Sequence, residues 1–140
     1  MMIKKKVLVL CTGNSCRSQM AEGYLKYFTE GKAEIYSAGI ETHGLNQDAV
    51  RVMKKDGIDI SMQTSNLIDE YKNMEFDFVI TVCDHARENC PYFPTEAKKI
   101  HQNFPDPSKT SGTEEEINRN FINTRNLIKS YCRKFAEENL

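Results

Sequence analysis

The chain has 140 residues, 39% hydrophobic and 28% charged, with a formal net charge of -1 and a pI near 6.3. That balance gives no global basic field for nucleic acid, and the size fits one domain over residues 1–140 whose core needs no disulfide. Only four apolar residues follow Lys4-Lys5-Lys6, too few for a signal-peptide core or a membrane span, so a cytoplasmic protein is expected, with its five cysteines reactive, metal-binding or buried.

In chain order, a first strand spans Lys6–Leu10. Cys11-Thr12-Gly13-Asn14-Ser15-Cys16-Arg17-Ser18 follows, a cysteine, a small-residue loop and an arginine set between strand and helix. The backbone N–H groups of Thr12, Gly13, Asn14, Ser15 and Cys16 can converge on one tetrahedral anion, and the helix N-terminus adds positive potential. Arg17 supplies a planar fork matching two of the anion's oxygens. The same field is expected to stabilise a thiolate at Cys11, a nucleophile at neutral pH. Ser18 is placed to donate a hydrogen bond to that thiolate and also suits a helix start. Asn14 either braces the loop through its side chain or serves as a turn residue tolerating left-handed geometry.

A helix is predicted from Ser18 to Thr29, with Met20, Tyr24 or Leu25, and Phe28 at helical spacing. Glu34–Ala38 reads as a strand. Asn46 can cap a helix over Gln47–Asp56 that Gly57 stops. A shorter helix fits Leu67–Asn73. Phe76–Val82 is strand-like and ends at Cys83, and Lys98–His101 is a fourth strand. Asp106 lies between Pro105 and Pro107, in a stiff turn. Thr113 and Glu116 form a capping box for a last helix to about Glu137, with Ile117, Phe121, Ile128, Cys132 and Phe135 on one stripe. Alternating strands and helices imply a parallel α/β sheet covered on both faces.

Cys83 and Cys90 lie seven residues apart. On a helix their Cα atoms would be about 10 Å apart, beyond the ~7 Å that a disulfide tolerates. A helical Asp84–Asn89 would therefore have to unwind for that bond, and Pro91 disfavours helical geometry at Cys90. The spacing of Cys11, Cys16, Cys83 and Cys90 fits structural zinc poorly. His43, His85 and His101 share no metal spacing and read as polar surface or loop residues, so no metal site is expected. Cys132 reads as core packing, and Cys16 as a structural or anion-positioning member of the loop.

Cys11–Ser18 resembles the phosphate-binding loop of low-molecular-weight protein tyrosine phosphatases. Gln19-Met20-Ala21-Glu22, Tyr36-Ser37-Ala38-Gly39-Ile40-Glu41, Gly57-Ile58-Asp59-Ile60 and Gln63-Thr64-Ser65 are similar to the thioredoxin-coupled arsenate reductases built on that fold. The resemblance covers nearly the whole chain. It implies a four-stranded parallel sheet in the order 2-1-3-4 with helices on both faces. It further implies reduction of arsenate to arsenite, with Cys11 as nucleophile, Cys83 as second thiol, Cys90 as third, and Asp106 as general acid. Phosphate and sulfate would compete as oxyanions, and thioredoxin would reduce the final disulfide. No cofactor is required on this reading. Some relatives bind potassium with residues matching Asn14, Glu22, Ser37 and Thr64 plus an aspartate; Asn66 stands in its place here and weakens such a site. The family's Asp-Asp-Pro is Pro105-Asp106-Pro107 in this chain, and its aromatic after the histidine is missing from His101-Gln102-Asn103. Nothing suggests an obligate interface, so a monomer is expected. Two other readings stay open: a phosphomonoester hydrolase using Cys11, Arg17 and Asp106, and a non-enzymatic redox-sensing or anion-binding module with no need of Asp106.

Overall fold

The computed structural model describes residues 4–84, 86 and 97–140; His85, Cys90 and Pro91 lie outside the described residues. Strand β1 (Lys5–Cys11) is the most deeply buried, because it is central in the sheet and covered on both faces. Val7, Val9 and Cys11 point to one face, and Leu8 and Leu10 to the other. β1 pairs in parallel with β2 (Ala33–Gly39) on one side and β3 (Phe78–Thr81) on the other. β4 (Lys98–His101) pairs in parallel with β3, which gives the order β2-β1-β3-β4. β3 is shorter than the Phe76–Val82 run, yet its flanks continue the ladder: Asp77 N donates to Lys6 O at 2.8 Å and Val82 N to Leu10 O at 2.9 Å. Lys98 and Lys99 keep the edge strand β4 exposed and charged, which discourages pairing with another chain.

Helix α1 (Arg17–Thr29) begins one residue before the expected start and is buried nearly all round, since it lies between the sheet and α3 (Glu114–Asn139). It ends at Glu30, whose φ of 49° is the left-handed conformation of a helix stop. α2 (Gln47–Lys55) is capped as its sequence indicates: Asn46 Oδ1 accepts from Ala49 N at 3.0 Å, and Gly57 follows at φ 82°. α3 opens with Thr113 Oγ1 accepting from Glu116 N at 3.1 Å, beside three glutamates that suit the positive helix end. Phe121, Ile128, Cys132 and Phe135 form its buried stripe, together with Thr124, and Ile117 is only partly covered.

The buried residues of α1, α2 and α3 share one core with Val7, Val9 and Ile80. The opposite face carries a second core of Leu8, Leu10, Ala38 and Val79. There the expected short helix is a 3-10 turn, Ile68–Tyr71, and Tyr36, Tyr71 and Phe76 form an aromatic cluster with ring centroids 5.4, 5.7 and 6.4 Å apart.

Candidate active site

β1 leads across to β2 on one side and β3 to β4 on the other, so their following loops part at the C-terminal edge of the sheet. A ligand crevice belongs at that point. A cavity of about 460 Å³ opens there. Cys11, Thr12, Gly13, Ser15, Cys16 and Arg17 line it from the first loop, Cys83 from the end of β3, and Asp106 from the segment after β4.

The first loop is held from outside. Thr12 O accepts from Glu41 N at 2.9 Å, Gly13 O from His43 N at 3.0 Å, Asn14 O from Gln19 Nε2 at 2.9 Å, and Ser15 O from Asn46 N at 2.9 Å. With its carbonyls bonded outward, the loop keeps its N–H groups for an anion inside the cavity. Gly39 permits the close approach: a Cβ there would lie 2.4 Å from Glu41 O and 2.7 Å from Thr12 O.

Asn14 and Ser18 do not line the cavity; both are fully buried behind the loop. Asn14 sits at φ 47° and braces the loop as well, so both of its candidate roles are present. Its Nδ2 donates to Ser18 Oγ at 2.8 Å and Ser37 Oγ at 3.0 Å, and its Oδ1 accepts from Asn66 N at 2.7 Å. Ser18 is thus engaged with Asn14, and the described hydrogen bonds do not include one from Ser18 to Cys11.

Arg17 Nη1 donates to Phe104 O at 2.9 Å, and its Nη2 lies 3.5 Å from Asp106 Oδ2. Asp106 caps a 3-10 turn, Pro107–Lys109, with Oδ1 accepting from Ser108 N at 3.0 Å and Ser108 Oγ at 2.6 Å. The proline-flanked turn and the placement of Asp106 in the site are therefore the same feature.

The two cavity sulfurs are coupled. Cys83 Sγ lies 3.2 Å from Thr12 Oγ1 and accepts from Ala86 N at 3.4 Å. Interaction with Cys11, aided by Thr12, Ala86 and Arg17, pulls the Cys83 thiol down to about 5 against the effect of burial. Cys11 moves the other way: its interaction with Cys83 and its burial push it well above the ordinary thiol range, although Arg17 opposes them. The two thiols therefore titrate as a pair, with Thr12 and Ala86 favouring the charge on Cys83 and Arg17 lowering both. Burial, then Asp106, pushes Cys16 up to about 12, so it remains a neutral thiol in the loop. Cys132 is a core residue whose Sγ donates to Ala21 O at 3.7 Å.

Glu41, His43, Asp84, Ser108 and Lys109 also line the cavity and were not marked by the sequence. His43 is half-exposed, but it packs on the loop: a Cβ on Gly13 would come within 2.4 Å of its Nδ1, and its Nε2 lies 2.6 Å from Glu41 Oε2. His101, by contrast, is not a surface histidine. It sits at the end of β4 with Nδ1 2.7 Å from Thr81 Oγ1 and Nε2 2.7 Å from Asp84 Oδ1.

The residues matching a potassium site do not fit one here. Glu22 Oε2 is taken by Lys26 Nζ at 2.5 Å, Glu22 Oε1 accepts from Ser37 Oγ at 2.5 Å, and Asn14 Oδ1 accepts from Asn66 N. Thr64 Oγ1 accepts from Asn66 Nδ2 at 3.1 Å, so the oxygens a cation would need already have protein donors.

An arsenate reductase of Halalkalibacterium halodurans is 48% identical to this chain over 136 residues, 97% of the chain and 98% of that protein. The arsenate reductase of Bacillus subtilis is also 48% identical over the same coverage. A solved structure described as an arsenate reductase in the phosphate binding state superposes with a TM-score of 0.77 at 31% identity, covering 96% of this chain and 98% of that one. The Escherichia coli K30 tyrosine phosphatase Wzb in complex with sulphate shares the fold, with a TM-score of 0.80 at 23% identity over 97% and 99% of the two chains. The family model described as low molecular weight phosphotyrosine protein phosphatase matches residues 6–140, and the chain belongs to that family.

Proposed function

We propose that this chain, acting as one cytoplasmic, monomeric domain, reduces arsenate to arsenite through Cys11, Cys83 and Cys90. The observation that carries the proposal is that Cys11 and Cys83 line one oxyanion cavity together with Arg17. A phosphatase needs one thiolate; two adjacent thiols supply the two electrons that take arsenic from the +5 to the +3 state. Arsenate binds to the N–H groups of Thr12, Gly13, Asn14, Ser15 and Cys16, with Arg17 across two oxygens, and phosphate or sulfate competes for the same cradle.

The Cys11 sulfur bonds to arsenic as an As–O bond breaks. Asp106 passes the leaving hydroxyl a proton, balanced by the one that Cys11 gives up, and water departs. The Cys83 thiolate then attacks the Cys11 sulfur. The S–As bond breaks with its electron pair going to arsenic, arsenite leaves, and Cys11–Cys83 becomes a disulfide. Cys90 attacks Cys83, which frees Cys11 and moves the disulfide outward for thioredoxin. The placement of Cys83 beside Cys11 in one cavity supports this order. Ser18, bonded to Asn14, braces the loop that carries the sulfur of Cys11.

The test is single-turnover arsenite formation by pre-reduced protein, with disulfide mapping by mass spectrometry. Wild type is expected to release one arsenite and form Cys83–Cys90; Cys90→Ser to stop at Cys11–Cys83; and Cys83→Ser to release none by the internal route. The second reading, a phosphomonoester hydrolase, draws on Arg17 and Asp106 facing one another at 3.5 Å across the cavity. It would be favoured by turnover of an aryl phosphate that ignores loss of Cys83 and Cys90, with no arsenite formed.

A further inference from the structure

Asp84 directly follows Cys83 and lines the same cavity, so its carboxylate is a like charge beside a sulfur that must act as a thiolate. Left free, it would disfavour that thiolate. The structure does not leave it free. Asp84 Oδ1 lies 2.7 Å from His101 Nε2, and His101 Nδ1 lies 2.7 Å from Thr81 Oγ1. A carboxylate only accepts, so Nε2 carries the proton of that bond. The imidazole is 20% exposed against 59% for Asp84, so the histidine is the fixed partner and the aspartate the held one. Asn103 Oδ1 takes the Asp84 N–H at 3.1 Å, which ties the same residue to the same strand end.

We propose that His101 is a positioning residue for the second thiol: by binding the Asp84 carboxylate to β4, it keeps that negative charge off the Cys83 sulfur. The inference builds on the role given to Cys83 above. Among the described residues, the other titratable or charged groups facing Cys83 are Cys11 from β1 and Arg17 from α1. Glu41 and His43 stand on the loop after β2, and Asp106 and Lys109 on the segment after β4. None of these binds Asp84 in place of His101.

The test uses reduced full-length protein and no arsenate, so its outcome is separate from that of the reductase reading. The rate of Cys83 alkylation by iodoacetamide is followed against pH by peptide mapping in wild type, His101→Leu, Asp84→Asn and the double variant. In His101→Leu the midpoint for Cys83 is expected to rise by roughly half to one pH unit. In the double variant it returns to that of Asp84→Asn alone, because no charge remains to be held. Mere loosening of the strand end would shift the midpoint whether or not residue 84 is charged. A rise below about 0.2 pH unit in His101→Leu, or one that persists in the double variant, overturns the proposal.

Discussion

Two loops bring a cysteine to the same cavity, and each is tied by an asparagine that accepts a backbone N–H. In the first, Asn14 is fully buried and takes the N–H of Asn66 at 2.7 Å while donating to Ser18 and Ser37. In the second, Asn103 is exposed and takes the N–H of Asp84 at 3.1 Å. The first loop must present a fixed set of donors to a tetrahedral anion, and a buried, interlocked network suits that task. On the proposed relay the second must release its sulfur to one partner after another; its described contacts run from a buried one at Cys83 Sγ to an exposed one at Asp84 N. The same residue type thus fastens both loops, in the core at the first and at the surface at the second.

The largest expected effect tests the rigid loop by its charge. Arg17→Lys keeps the charge and loses the planar fork, so kcat/KM for arsenate should fall by about 10²- to 10³-fold with little change in melting temperature. A loss below tenfold would mean that the loop N–H groups alone hold the anion. Asn14→Ala comes next. It removes three buried or part-buried hydrogen bonds and leaves a non-glycine residue at φ 47°. The cost should be about 3 kcal/mol of stability by chemical denaturation, with weaker oxyanion protection. Asn14→Gly should recover roughly 1 kcal/mol of that, because glycine accepts the left-handed backbone.

This contrast also explains what the sequence disclosed. The first loop was legible because strand, loop and helix are contiguous, and the order 2-1-3-4 followed from the same resemblance. The second loop was harder to read. His101 looked like a surface residue because its two partners, Thr81 and Asp84, stand 20 and 17 positions away and meet it only when β3 and β4 pair. His43 and Lys109 reach the cavity from loops after β2 and β4, whose approach to Gly13 and Arg17 is set by the fold and not by local pattern. The coupling of Cys11 to Cys83 was invisible for the same reason: Arg17 and the loop lower the Cys11 thiol, but Cys83, which raises it, follows another strand.

That coupling gives an effect of intermediate size. The thiol of Cys83 is lowered from its ordinary value to about 5, so the thiolate is present above that value and lost as pH falls through it. Arsenite release in a single turnover should therefore be flat from neutrality down to about pH 5.5 and then fall toward tenfold per further pH unit, while the fold persists by circular dichroism. A fall already complete near neutrality would place the proton on Cys83 instead.

The smallest expected effect lies in the second loop. Asn103→Ala removes one exposed acceptor from Asp84 N, and water can replace it, so the loss of stability should be about 0.5–1 kcal/mol. Cys83 keeps its bonds to Thr12 and Ala86 and its interaction with Cys11. The rate of the first disulfide should therefore stay within about threefold of wild type. The value of this variant is its pairing with Asn14→Ala: two asparagine deletions, each at a backbone N–H, should differ several-fold in free energy. Equal costs would break the comparison, because the second loop would then be as tightly built as the first, and the Cys83 sulfur would need more than a local opening to reach its next partner.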